Sequence, residues 1–302
     1  MGGRVARKSV EWPTVGLIAL TYVGWGILTF HANALGVWLT ILLLIPCLVL
    51  HSSLQHESIH GHPFRDQALN AALMLPGLGL VIPYGRFRDL HLAHHKDANL
   101  TDPYDDPESA YFDPRHFYAY PLIWRLVLVA NNSFAGRFLL GPLVGLEGFY
   151  RTELRMMLAG SRRVIRDWVL HALSVIAILV WISQIATIPF WAYLISAYLA
   201  QSVLKIRTFV EHQAHALASA RSVIIEDRGP LAFLFLNNNL HSVHHAHPQV
   251  PWYDLPALFR SRRETYLHRN RGYYFGSYLT VIMRFFLRPK EPVPHPFYER
   301  DR

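Results

Sequence analysis

The chain has 302 residues, 52% of them hydrophobic and only 17% charged, and its 29 Lys and Arg against 21 Asp and Glu leave a net charge of +8. That balance excludes a disordered, solvating chain. The single cysteine, Cys47, excludes an intramolecular disulfide framework, a Cys-rich zinc module and a cysteine-bound iron–sulfur cluster.

Residues 12–56, between Glu11 and Glu57, contain no Asp, Glu, Lys or Arg. A spanning helix takes about 17–25 apolar residues, so this stretch is predicted to cross a bilayer twice, over 14–30 and 34–53, with a break at His31-Ala32-Asn33. Residues 67–85 are also uncharged but contain Pro76, Gly77, Gly79 and Pro83, which predicts a bent or re-entrant helix near the interface. Residues 117–146, interrupted by Arg125, Arg137 and Pro142, suit an interfacial amphipathic segment. Residues 168–204 again carry no charge and predict a second hairpin, with helices over 168–183 and 188–204. As soluble helices, these two hairpins would lack a solvated face. The Pro-rich tail from Arg288 is expected to lie over the cytoplasmic surface.

Basic residues set the orientation. Arg4, Arg7 and Lys8 precede the first hairpin, and Arg65, Arg86, Arg88 and Lys96 follow it; Arg151, Arg155, Arg162, Arg163 and Arg166 precede the second, and Lys205 and Arg207 follow it. Both tips are uncharged. The expected fold is therefore an all-α integral membrane protein in a single domain, 1–302. Four transmembrane helices form two hairpins, and a cytoplasmic helical cap is built from 54–167 and 205–302. Both termini face the cytoplasm, and no cleaved leader is expected. Because the positive charge tracks this topology, nucleic acid is not expected as a partner.

The 18 histidines cluster where the hairpins emerge. His56 and His60 are four apart and share a helix face one turn beyond the second predicted span. His91-Leu-Ala-His94-His95 has spacings of three and four, and His241-Ser-Val-His244-His245 repeats that pattern 150 residues later. His212 lies in Glu211-His-Gln-Ala-His215, after the fourth predicted span. Neutral imidazole is the commonest metal-binding side chain, and such spacings let a rigid helix offer two nitrogens to one ion. Nine potential ligands (His56, His60, His91, His94, His95, His212, His241, His244 and His245) exceed the needs of one ion. They argue for two, without naming the metal.

With these motifs the chain resembles the membrane fatty acid desaturase superfamily, which includes membrane hydroxylases, alkane monooxygenases and carotenoid ketolases. The resemblance rests on HESIHGH at 56–62, HLAHH at 91–95 and NNNLHSVHHAHPQVPWYDLP at 237–256, with EHQAH at 211–215 between them. It implies a non-haem diiron centre of two iron ions that activates dioxygen, with the three boxes and His212 as ligands.

Other residues are candidates to ligate or to orient a ligand. His51 is a candidate for a deeper ligand, although a histidine closing a spanning helix more often hydrogen-bonds at the interface; His62, His215 and His247 flank the boxes. Asn237 and Asn238, with Asn239, precede the third box, where they can orient histidines or form an ordinary turn. Among Glu57, Asp89, Asp97, Asp102, Asp105, Asp106 and Glu211, the two close in sequence to ligands, Asp89 and Glu211, are favoured as acceptors of ligand N–H groups, and the segment from Thr101 to Glu108 reads as a solvated loop. His31, His116, His171, His268 and His295 stand alone.

The resulting expectation is dioxygen- and electron-dependent oxidation of an unactivated C–H bond in a lipid or acyl substrate drawn from the bilayer, foremost desaturation of a fatty acyl chain. Hydroxylation or ketolation of a lipid, alkane or carotenoid-like substrate is the alternative, since no box spacing separates them. A metal transporter or zinc-dependent membrane hydrolase is disfavoured, because the histidines lie outside the apolar spans and are too many for one zinc. No cysteine cluster, dinucleotide fingerprint or fused haem module is present, so electrons are expected from an external donor such as a ferredoxin or b-type cytochrome. Replacing His94 or His244 by Ala is expected to abolish turnover, measured on the purified protein, whereas replacing the solitary His295 is not.

Overall fold

The computed structural model describes residues 10–298; Arg4, Arg7 and Lys8, part of the orientation argument, lie outside the described residues. Helix α1, Trp12–Phe30, opens with Pro13 in its first turn, where the missing N–H costs nothing. A short turn of helix, α2 (Ala32–Leu35), and Gly36, at φ +84°, reverse the chain into α3, Val37–Ile59. Helix α3 runs past the expected end at 53 and carries His56 within it and His60 at its C-terminus. The Asp66 carboxylate caps α4, Gln67–Met74, by accepting the Ala68 and Leu69 N–H groups. After a non-helical stretch, 75–83, α5 (Tyr84–His94) holds the second box.

The segment expected to be one interfacial element divides into α6 (Pro114–Ala119), α7 (Leu122–Asn131) and α8 (Phe134–Leu158). Helices α7 and α8 meet at 120°, and together they are long and apolar enough for a broken span or a re-entrant loop. Beyond them, α9 is Arg162–Gln184 and α10 is Phe190–Thr208. The remainder is short: strand β1 (Ile224–Ile225), helices α11 (Pro230–Leu234), α12 (His241–Ala246), α13 (Leu255–Ser261) and α14 (Arg263–Arg269), strand β2 (Tyr274–Phe275) parallel to β1, and α15 (Tyr278–Phe285).

Among the described residues, α1, α3 and α9 are long and apolar enough to cross a membrane. Only 22% of the apolar window of α1 and of α9 is buried within the protein. Leu20, Trp38, Leu42, Leu173 and Ile176 stand more than half exposed, an apolar surface that calls for lipid. Helix α10, expected as the fourth span, is not apolar enough to count with these three. Its composition answers to a different neighbour: it packs chiefly against α3 and α8, and its buried Ala192, Ser196, Ala197 and Ala200 permit close helix approach.

The stretch 75–83 is irregular backbone among spanning helices, so its polar groups must be met by protein. Tyr193 of α10 donates to the Leu78 carbonyl at 2.7 Å and receives the Trp25 indole N–H at 3.0 Å. His171 of α9 reaches the Leu80 carbonyl at 3.0 Å, Tyr150 of α8 the Val81 carbonyl at 2.9 Å, and the Gly77 N–H donates to Ser174 Oγ at 2.7 Å. Next to this stretch, Arg86 makes two hydrogen bonds to Glu153, at 2.8 and 3.0 Å, and so fixes α5 against α8.

At the α7–α8 corner Ser133 accepts the Gly136 N–H, and a Cβ on Gly136 would stand 1.8 Å from the Ala130 carbonyl oxygen. Gly136→Ala is therefore expected to destabilise the protein by at least about 1–3 kcal/mol, the usual range for overpacking. Thermal unfolding in detergent checks this against Gly148→Ala, where nothing lies within 4 Å of the added carbon.

Candidate metal centre

Four segments distant in sequence deliver the histidines: the end of α3, the end of α5, the turn after α10, and α12. They form two groups. His56, His60, His91, His95 and His244 make one; His94, His212, His241 and His245 make the other; in each, one ligand atom per residue lies within 4.8 Å of all the rest. Every one of the nine histidines singled out by spacing is in one group or the other. The alternation of His94 and His95 between groups follows from the helix, since adjacent residues point about 100° apart.

The nitrogens face one another. In the first group His91 Nε2 lies 3.0 Å from both His60 Nε2 and His95 Nε2, and His244 Nε2 lies 3.2 Å from His95 Nε2. In the second, His212 Nε2 stands 2.9 Å from His94 Nε2 and 3.0 Å from His241 Nε2, and His245 Nε2 lies 3.1 Å from His241 Nε2. Two nitrogens held about 2.1 Å from one cation at right angles are about 3.0 Å apart, which matches these separations. His56 Nε2 is buried without a hydrogen-bond partner.

The outer ring nitrogens explain why the inner ones are bare. His94 Nδ1 donates to Asp106 Oδ1 at 2.7 Å, His91 Nδ1 to Glu108 Oε1 at 3.1 Å, and His241 Nδ1 to Asn238 Oδ1 at 3.0 Å. Each of these oxygens can only accept, so a hydrogen sits on Nδ1 and each ring, in its neutral form, turns an Nε2 lone pair inward. Converging lone pairs repel unless a cation lies among them. The donor set therefore fits metal ions, and imidazole suits iron, zinc, copper and nickel alike.

Electrostatics agree. Burial first, then the neighbouring imidazoles, push His60, His95, His241 and His244 below the usual histidine range, and His212 is lowered by burial and by His94; neutral imidazole is the ligating form. His94 is the exception: burial depresses it, but Glu108 and then Asp106 outweigh burial and hold it at about 9. Without metal it keeps a proton that a bound cation would displace. Glu108, despite its desolvation, is held far below the usual carboxylate range by His94 and His91.

The other candidates are placed elsewhere. His51 lies 3.3 Å from the Tyr22 hydroxyl, His62 Nδ1 binds Glu11 at 2.7 Å, His215 Nδ1 accepts the Leu217 N–H, and the His247 ring faces Tyr266. None joins either group. Asn237 is tied to the Trp252 carbonyl and Asn239 to that of Ile225, which leaves Asn238 as the one that touches a clustered histidine. Asp89, favoured to orient a histidine, instead binds Arg86, Arg88 and Arg163 and ties α5 to α9, because the i, i+3 geometry of α5 turns it toward arginines. Glu211 stops 3.7 Å from His241 Nδ1, beyond hydrogen-bond reach, and acts through Arg207 at 3.1 Å and Asn238 at 3.4 Å. The orienting carboxylates are Asp106 and Glu108, in the segment that reads as a solvated loop. Their one sequence signal is an acidic run within 14 residues of HLAHH.

The family model for fatty acid desaturases matches residues 32–277, most of the chain and all of this site. The chain belongs to the fatty acid desaturase family. No curated protein matches it. Membership accounts for the pairing of apolar helices with clustered histidines: the family implies an oxidoreductase that oxidises lipid at a histidine-ligated metal centre.

Asp106→Asn removes the charge that orients His94 while keeping the side chain's size. It is expected to lower metal affinity about 10–100-fold. Competition with a chelator of known affinity measures this, and unchanged affinity would show that Asp106 does not tune the site.

Proposed function

We propose that the protein is a membrane-bound oxidoreductase that desaturates a fatty acyl chain, using two iron ions and dioxygen, with electrons from a separate carrier protein. The observation that carries this reading is the division of nine histidines into groups of five and four with their Nε2 atoms converging. When bound, the iron pair supplies the oxidising power needed to remove hydrogen from an unactivated C–H bond, which no acid–base pair on a protein provides. In this proposal His56, His60, His91, His95 and His244 hold one ion, and His94, His212, His241 and His245 the other.

The chain's own residues bind and orient. Asp106, Glu108 and Asn238 fix the tautomers of three ligands. A cavity of about 60 Å³ lies between α3, α10 and the 75–83 stretch, lined by Leu48, Ser52, Gln55, Phe87, Gln201 and Leu204 among others. Ser52 precedes His56 by one helical turn, which puts this cavity beside the centre; in this proposal it receives the part of the acyl chain nearest the reacting carbon. The basic residues flanking the apolar helices support a cytoplasmic centre, with the hairpin tips on the far side. The same basic face suits an acidic electron carrier such as a ferredoxin, or a b-type cytochrome.

Anaerobic purification with metal analysis, followed by dioxygen, a reduced carrier and mass spectrometry of lipid products, tests the proposal. Two irons per chain and a product lighter by two hydrogens are expected. A product heavier by one oxygen would identify a hydroxylase, and one zinc without oxygen uptake would overturn the reading.

A further inference from the structure

The chain beyond α15 is bound along a defined path. The Lys290 N–H donates to the Asn132 carbonyl at 2.8 Å, the Phe112 N–H to the Val293 carbonyl at 3.1 Å, and the His295 N–H to the Phe112 carbonyl at 2.9 Å. Two of its side chains reach toward the centre. The Lys290 ammonium donates to the backbone carbonyl of His212, next to that ligand's own ring. His295, whose isolation in the sequence led to the expectation that it is dispensable, is instead buried and engaged: its Nδ1 accepts the Phe297 N–H at 3.2 Å, so its Nε2–H is the donor to Thr101 Oγ1 at 3.2 Å. Thr101 holds φ +71°, a conformation that a β-branched residue adopts only under constraint, and in it the Thr101 N–H meets Asp106 Oδ2 at 2.9 Å. The other oxygen of Asp106 holds His94.

Both lines meet the four-histidine group first; only one step further on does the Asp106 line touch the other group, because Asp106 Oδ1 also accepts the N–H of Glu108, the acceptor for His91, at 2.9 Å. His94 and His212 belong to the four-histidine cluster and stand 2.9 Å apart at Nε2. Among the described residues, Lys290, Glu291 and His295 make no hydrogen bond to His56, His60, His91, His95 or His244. Those five stand on or at the end of α3, α5 and α12; of the other four, His212 alone lies outside a helix.

We propose that Lys290 and His295 are positioning residues chiefly for one metal position: the C-terminal strap braces His212 directly and His94 through Thr101 and Asp106, and so controls occupancy of the four-histidine site before that of its neighbour. The inference rests on the two-ion reading above. The two sites are asymmetric, since the strapped one has fewer imidazoles and one of them, His212, lies outside the helices.

The test counts iron per chain, with a Mössbauer spectrum to distinguish one environment from two, in the full-length protein and in Lys290→Met, His295→Phe and the nearly isosteric Thr101→Val. The expected result is two irons in the unmodified protein and one in each variant, with one spectral component lost, and recovery of both in Lys290→Arg, which keeps a donor. His268→Ala, at an exposed position, keeps two. Variants that all keep both irons, or a Thr101→Val protein that loses both together, overturn the strap's selectivity. An unmodified protein that never binds two irons defeats the underlying reading instead.

Discussion

Nine imidazoles with their lone pairs turned inward are a repulsive arrangement, and the architecture around the candidate centre serves to hold that arrangement in place. Three of the four contributing segments are helical, so their histidines arrive as fixed pairs or triplets rather than as free side chains. The hydrogen bonds on Nδ1 do the complementary task of turning Nε2 inward, at His91, His94 and His241. A donor set preorganised to this degree loses little entropy when it closes on an ion, whereas four independent segments would have to be gathered at that moment.

Holding those segments together requires a rigid interior, and the polar network within the helices provides it. The non-helical stretch 75–83 turns the chain from the first box toward the second, and it does so among helices, where no water can satisfy its carbonyls. Tyr193, His171 and Tyr150 satisfy three of them from three different helices. The same bonds therefore fix α5, which begins directly after this stretch and carries His91, His94 and His95. His171, which looks isolated in the sequence, is part of that frame.

Much of this was legible from residue order because the relevant physics is local. Charge-free runs located α1, α3 and α9, and i, i+3 and i, i+4 spacings picked out the clustered histidines, since one helix fixes such pairs without help from the rest of the fold. Expectations failed where a partner comes from far along the chain. Asp89 is close in sequence to His91 yet is turned to Arg163, while Asp106 and Glu108, in an apparent surface loop, are brought over the second box by the tail and by Arg221, which donates to the Leu100 carbonyl. Helix α10, expected as the fourth span, is less apolar than α1, α3 and α9 because the face it packs against α3 and α8 carries tyrosine and serine.

By itself, the sequence determined the class of the protein: an apolar helical chain, basic at its flanks, with histidines at helical spacing in numbers that suit two ions. Those properties depend on neighbours within a turn or two, and periodicity displays them directly. The tertiary structure alone decided that five histidines gather in one group and four in the other, that Asn238 rather than Asn237 or Asn239 meets a ring, and that Asp106 and Glu108 rather than Asp89 orient two others. Each of those facts depends on contacts between residues more than ten positions apart or on the direction of a side chain in three dimensions. No spacing rule carries that information.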